Sequence, residues 1–279
     1  MSSHRKPTPN NPNDLRQRIL DYFQTLRVPL SAADLDAVLT EAEKQRWSPL
    51  ELLSHLLGPQ ADLRRQRAIE RRIREARFRE PATLEGFDWK FNAQAIDRLQ
   101  IETLATGEFI RRGNNLVILG QSGVGKSHIV QAVGRAACAR GYRVRYVTSA
   151  ELLQDLTASL ADHTLPERLR YYSNFDLLAI DEFGFDRIER AESSQAASLL
   201  YKVVDGRTKR STAMVTNISF EAWAEYLGDA PLAMAILDRV VDGAIILKIE
   251  GRSYRASRLK RPLPDKDGKA AKQLPKPAA

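Results

Sequence analysis

The run Gly120-Gln-Ser-Gly-Val-Gly-Lys-Ser127 fits the pattern Gly-x4-Gly-Lys-Ser, in which glycines let the backbone wrap a phosphate with its N–H groups pointing inward. Gly120, Gln121, Ser122, Gly123, Val124 and Gly125 would form that loop. Lys126 would reach the β- and γ-phosphates of a nucleotide such as ATP, and Ser127 would give its hydroxyl to Mg²⁺. His128 stands next to them, at the start of the following helix, and closes the nucleotide-binding run. A second cluster is Asn174-Phe-Asp-Leu-Leu-Ala-Ile-Asp-Glu182, an apolar run that ends in two adjacent carboxylates. Asp181 suits the Mg²⁺ position, through Ser127 and water, and Glu182 suits a general base that polarises a water for attack on the γ-phosphate. A protein that only binds nucleotide has less need of the second acid, so the pair points to hydrolysis.

Two more polar residues carry two readings each. Asn217 closes the apolar run Ala213-Met-Val-Thr-Asn217 and could hold the attacking water together with Glu182, or could be an ordinary turn residue. Arg239, in Ala235-Ile-Leu-Asp-Arg239, is either a surface charge or a finger that stabilises transition-state charge.

These groups need a scaffold that delivers them to one place. Short runs rich in Val, Ile and Leu at 116–119, 144–147, 177–180, 213–216 and 244–249 read as strands buried on both faces. Alternation with amphipathic stretches, including a helix over 126–139, predicts an α/β parallel sheet flanked by helices. Ahead of it, Leu15, Ile19, Phe23 and Leu26 fall at helical spacing, and Ser31 caps a second segment carrying Leu35, Val38, Leu39 and Ala42. Ser48-Pro-Leu-Glu51 is a capping box with proline at the first helical position. The helix it opens is expected to stop at Gly58-Pro59, and a separate arginine-rich helix is expected over 61–78, ended by Pro81. The organisation predicted is a disordered segment 1–13, a small helical domain 14–60, an arginine-rich helix and linker 61–92, the α/β domain 93–257, and a basic disordered tail 258–279.

Composition narrows the partners. The chain of 279 residues carries a net charge of +8 and is 43% hydrophobic, near the ordinary globular fraction. Charge is segregated: residues 63–79 carry +6, residues 252–279 carry +7, and Arg5 and Lys6 add two, so the remainder is −7. Such segregation suggests a polyanionic partner. Arg64, Arg65, Arg67, Arg71, Arg72 and Arg74 are candidates for phosphate contacts on DNA, the alternative being a solvated linker helix. The single cysteine, Cys138, excludes an internal disulfide and a cysteine-based zinc site. No apolar run is long enough to span a bilayer, and the first residues lack an apolar stretch behind Arg5 and Lys6, so the expectation is a cytoplasmic protein without a membrane partner.

Taken together, residues 120–128, Ile180-Asp-Glu-Phe-Gly184, Thr216-Asn217, Leu237-Asp-Arg239 and Glu250-Gly-Arg-Ser-Tyr-Arg255 resemble the IstB-type ATPases. These are AAA+ helper proteins of IS21-type transposons, related to DnaC-type helicase loaders. The resemblance covers about residues 14–258 and includes Arg71-Arg-Ile-Arg-Glu-Ala-Arg-Phe78 and Ala82-Thr-Leu-Glu-Gly-Phe-Asp-Trp89. It implies an AAA+ P-loop NTPase with a five-stranded sheet, Walker A at 120–127, Walker B at Asp181 and Glu182, and a sensor at Asn217. It also implies that Arg239 acts in trans, at the boundary between subunits of a homo-oligomer. Arg252 and Arg255 are further candidates to approach the nucleotide. The activity implied is ATP hydrolysis by a bacterial oligomer on double-stranded DNA, serving an IstA-type transposase in target-site selection. Its rivals are a DnaC-like helicase loader and a non-enzymatic DNA-coating protein whose assembly ATP gates.

Overall fold

The computed structural model describes residues 12–185 and 193–259. The segments expected to be disordered, 1–13 and 258–279, lie outside the described residues except at their inner ends. The chain divides into two compact units, Met1–Glu70 and Arg71–Ala279.

The first unit is helical: α1 (Pro12–Thr25), α2 (Ala32–Gln45) and the first part of α3 (Pro49–Ala76). Capping sets where two of these helices begin. Ser31 Oγ accepts from the Asp34 N–H at 3.1 Å while the Asp34 carboxylate accepts from the Ser31 N–H at 3.3 Å. Ser48 and Glu51 make the same reciprocal pair at 3.3 and 2.7 Å, which removes two of the free N–H groups a helix start leaves open. Leu35 and Leu56 are buried, and Ile19 and Phe23 are half-buried as their spacing predicts, but Leu15 and Leu26 are exposed.

α3 corrects one expectation. It does not stop at Gly58-Pro59 but runs on to Ala76, 28 residues in all, with Pro59 inside it. A residue before proline is pushed out of helical geometry largely by the clash of its Cβ with the proline ring, and Gly58 has no Cβ. Leu, Gln, Ala and Arg on either side are strong helix formers, so one lost hydrogen bond does not end the helix. The helix ends instead where Arg77 turns left-handed at φ 57°.

The second unit carries α4 (Arg98–Ala105), α5 (Glu108–Arg112), β1 (Leu116–Gly120), α6 (Lys126–Ala139), β2 (Val144–Thr148), α7 (Ser149–Ala161) and α8 (Leu165–Ser173). After them come β3 (Leu177–Phe183), α9 (Ser193–Asp205), β4 (Ser211–Thr216), α10 (Trp223–Leu227), α11 (Ala230–Val241), β5 (Ile245–Ile249) and α12 (Tyr254–Leu259). All strand pairs are parallel, in the order β2-β3-β4-β1-β5. Alternation within a strand splits the core into two layers. Leu116 and Ile118 face a layer with Ile129 and Val133 of α6, and Val117 faces another with Leu200 of α9 and Ile236 of α11. This is an α/β fold with a five-stranded parallel sheet flanked by helices, and a small all-α unit precedes it in the chain.

Parallel pairing brings all the C-terminal strand ends to one edge, where open α/β sheets bind ligands. Because β1 lies beside β4 and β4 beside β3, the residues that follow these three strands converge.

Candidate active site

A cavity of about 350 Å³ opens at that edge, within the ordinary range for a small-molecule site. It is lined by Ser122, Gly123, Val124, Gly125, Lys126, Ser127 and His128 after β1, by Asp181 and Glu182 of β3, and by Asn217 after β4. The sequence-predicted residues from three strands are thereby brought together, while Gly120 and Gln121 stand at the base of the loop.

The loop geometry needs its glycines. Gly123 and Gly125 have φ of 83° and 104°, and a Cβ on Gly123 would lie 2.2 Å from Ser253 Oγ. The Gly123 carbonyl also accepts from the Tyr254 N–H at 2.9 Å, so the start of α12 is tied to the loop. Gly123→Ala is expected to lower the unfolding free energy by about 1–3 kcal/mol, the range for a side chain forced into the left-handed region. Urea denaturation of the two proteins measures it, and equal midpoints would show that the loop shifts freely. Lys126 donates to the Gly120 and Gln121 carbonyls at 2.7 and 2.8 Å, which leaves one of its three donors for a ligand. Burial lowers its pKa from the ordinary lysine value, and the Asp181 carboxylate acts in the opposite direction.

Asp181 is buried at 2% exposure and held on both oxygens. Tyr146 Oη donates to one at 2.6 Å and the Glu182 N–H to the other at 2.7 Å. Burial, reinforced by the neighbouring Asp181 charge, pushes the Tyr146 phenol above its ordinary pKa, so it stays a donor. The carboxylate still has unused lone pairs. With the Ser127 hydroxyl it forms a set of hard oxygen donors, a fit for Mg²⁺ completed by water.

Glu182 departs from strand geometry. The β3–β4 register shifts between Ile180 and Phe183, and Glu182 takes φ 61°, a conformation that only glycine and a few small polar residues enter readily. The irregularity re-aims successive side chains that regular alternation would send to opposite faces. Asp181 and Glu182 therefore both line the cavity. Asn217 supports the turn that follows: with its amide oriented by its surroundings, the nitrogen donates to the Gly184 and Phe183 carbonyls at 3.2 and 3.3 Å.

Arg239 is not among the lining residues. It is exposed on α11 and pairs with Asp205 at 3.1 Å and Asp238 at 3.2 Å. Arg64, Arg65, Arg67, Arg71 and Arg74 are exposed along α3, and Arg72 is half-buried. Arg65 pairs with Asp62, and Arg71 lies 3.9 Å from Glu75.

Sequence reasoning missed part of the wall. Phe87, Asp88 and Phe91 line the cavity from the segment read as linker, Ile96 lines it from the start of the segment read as the α/β domain, and Tyr254 lines it from α12. Phe87 packs edge-on to Trp89 at 4.8 Å and lies 5.3 Å from the His128 ring. His128 Nε2 in turn lies 2.8 Å from the Thr83 carbonyl oxygen, fastening this segment to α6. The alternation Phe87-Asp-Trp-Lys-Phe91 was the available signal, though it does not say which rings face a ligand. Of the two arginines considered near the C-terminal end, Arg255 reaches the cavity. Arg252 lies over the Phe91 ring, 5.6 Å from its centre.

The model of the IstB-like ATP-binding proteins matches residues 22–261. This chain belongs to that family. The ATP-binding protein of insertion sequence IS232 from Bacillus thuringiensis subsp. berliner is 32% identical over 240 residues, covering 86% of this chain and 94% of that one. The IS21 ATP-binding protein of Pseudomonas aeruginosa is 34% identical over 222 residues, covering 79% of this chain and 82% of that one. Among solved structures, DnaI aligns with a TM-score of 0.48 at 22% identity, over 61% of this chain and 91% of that one. Among the described residues of this IstB-like protein, no helix is long and apolar enough to cross a membrane.

Proposed function

We propose that the protein is an ATP-dependent helper of transposition: an ATPase that oligomerises on duplex DNA and assists an IstA-type transposase in choosing and using a target site. The observation that carries this reading is the meeting of Lys126, Ser127, Asp181, Glu182 and Asn217 in one cavity, in a family whose relatives are ATP-binding proteins of insertion sequences.

Loop N–H groups and the free Lys126 donor hold the ATP phosphates, and the dipole of α6 adds partial positive charge there. Ser127 and Asp181 would hold Mg²⁺, which supplies charge neutralisation between the phosphates. Glu182 accepts the proton of the attacking water. Asn217 keeps the turn after Glu182 in place and lines the same cavity. Phe87 and Phe91 offer apolar wall for the base. Arg239 serves the cavity of a neighbouring subunit.

The DNA part of the reading is tested by salt titration. If Arg64, Arg65, Arg67, Arg71, Arg72 and Arg74 each neutralise a phosphate, log K for duplex DNA falls against log salt with a slope near about −5, at roughly −0.9 per contact. A slope near zero removes these residues from the interface. Contacts of this kind fix position without reading bases, so affinity is expected to depend little on sequence.

A further inference from the structure

Arg79 is the one residue of the 63–79 arginine run whose guanidinium reaches the cavity's acid. Its backbone is fixed first. The N–H groups of Arg79 and Glu80 both donate to the side-chain oxygen of buried Gln131, at 2.9 and 3.0 Å. The Gln131 nitrogen donates to the Ser127 carbonyl at 3.2 Å, so a single side chain joins this strap to the helix behind the phosphate loop. Phe78, one residue earlier, packs so closely on α6 that a Cβ on Gly134 would lie 2.8 Å from its ring.

From this anchored position the guanidinium spans two acids. Arg79 Nη2 donates to Glu151 Oε1 at 2.9 Å and Nη1 to Glu182 Oε2 at 3.4 Å. Glu151 is itself immobilised, because it closes the capping box of α7 with Thr148, at 3.0 and 3.2 Å. Glu151 is thus a fixed post, and Arg79 holds Glu182 against it. That contact occupies one oxygen of a group that must turn toward water. Glu182 and Arg79 are both about half exposed, at 47% and 45%, so another anion can compete for the guanidinium.

We propose that Arg79 is a positioning residue that restrains Glu182 in the free protein, and that a polyanion bound along the arginine run draws Arg79 away and frees the carboxylate for hydrolysis. The inference rests on the reading of Glu182 as general base, and it goes beyond that reading by naming what controls the base. Arg79 is then distinct from the other arginines of the run, which supply affinity alone.

The experiment is steady-state ATP turnover of the full chain with and without duplex DNA, for wild type, Arg79→Gln and Arg79→Lys, alongside affinity for a fluorescent ATP analogue. Arg79→Gln is expected to raise DNA-free turnover by about two- to fivefold, the range an exposed ion pair allows, with analogue affinity unchanged. Its ratio of stimulation by DNA should fall toward one. Arg79→Lys should lie between, because a point charge cannot span two carboxylates as a planar fork does. DNA-free turnover that stays level or drops, with analogue affinity retained, overturns the proposal. The double variant Arg79→Gln/Glu182→Gln separates the two readings. Its inactivity leaves Glu182 as the base whatever Arg79 does, whereas retained hydrolysis removes the base assignment itself.

Discussion

Glu182→Gln is expected to cut ATP turnover by about 10²–10⁴-fold, the usual contribution of a general base, while ATP binding persists. The separation follows from where the groups sit. In the function proposed, phosphate binding falls to the loop after β1 and to Lys126, whose hydrogen bonds go to the Gly120 and Gln121 carbonyls. Glu182 belongs to β3 and makes no contact with that lysine. Glutamine has the same shape and can still accept from Arg79, so the loop and the Asp181 pair with Tyr146 are left intact. What is lost is the capacity to take a proton. If hydrolysis also drives release from DNA, the variant should accumulate as ATP-bound oligomers on duplex, visible by electron microscopy. Turnover equal to wild type would end the assignment of Glu182 as base.

Arg239→Ala is expected to have an effect as large, about 10³–10⁵ in turnover if the residue acts as an arginine finger. Within one chain Arg239 pairs with Asp205 and Asp238 and does not line the cavity. Its contribution must therefore come from outside, and this makes a mixing experiment decisive. Arg239→Ala keeps a complete base and lacks the finger, and Glu182→Gln keeps the finger and lacks the base. Each alone should be nearly inactive, and a mixture should recover part of the wild-type rate. Recovery arises at those boundaries where an intact Arg239 faces an intact Glu182. No recovery on mixing, or full turnover by Arg239→Ala alone, would return Arg239 to the role of a surface charge.

What could be read from the chain depended on how far apart the interacting residues lie. β1, β2 and α6 sit within a residue of the expected positions, because apolar runs and glycine punctuation are local signals. The glycine-rich loop was legible for the same reason, since its pattern lies in eight consecutive residues. The helix through Gly58-Pro59 was not, because the usual stop signal was softened by the identity of the residue before the proline. β3 runs to Phe183, past the expected end at 180, as the shifted register carries the strand through both acids. The contact of Arg79 with Glu182 joins residues 103 positions apart, and no periodicity or spacing rule reaches that distance. The charge count grouped Arg79 with the arginines of the helix before it, whereas tertiary packing by Gln131 and Phe78 sets it apart.

The left-handed backbone at Glu182 has an evolutionary consequence. Glycine would occupy φ 61° with no steric penalty, and asparagine with less than glutamate. A screen that rewards heat resistance alone should therefore drive this position away from glutamate, and the variants it enriches would be sturdier and unable to turn over ATP. On the role proposed for Glu182, stability and activity therefore pull this position in opposite directions, because folding by itself favours its replacement.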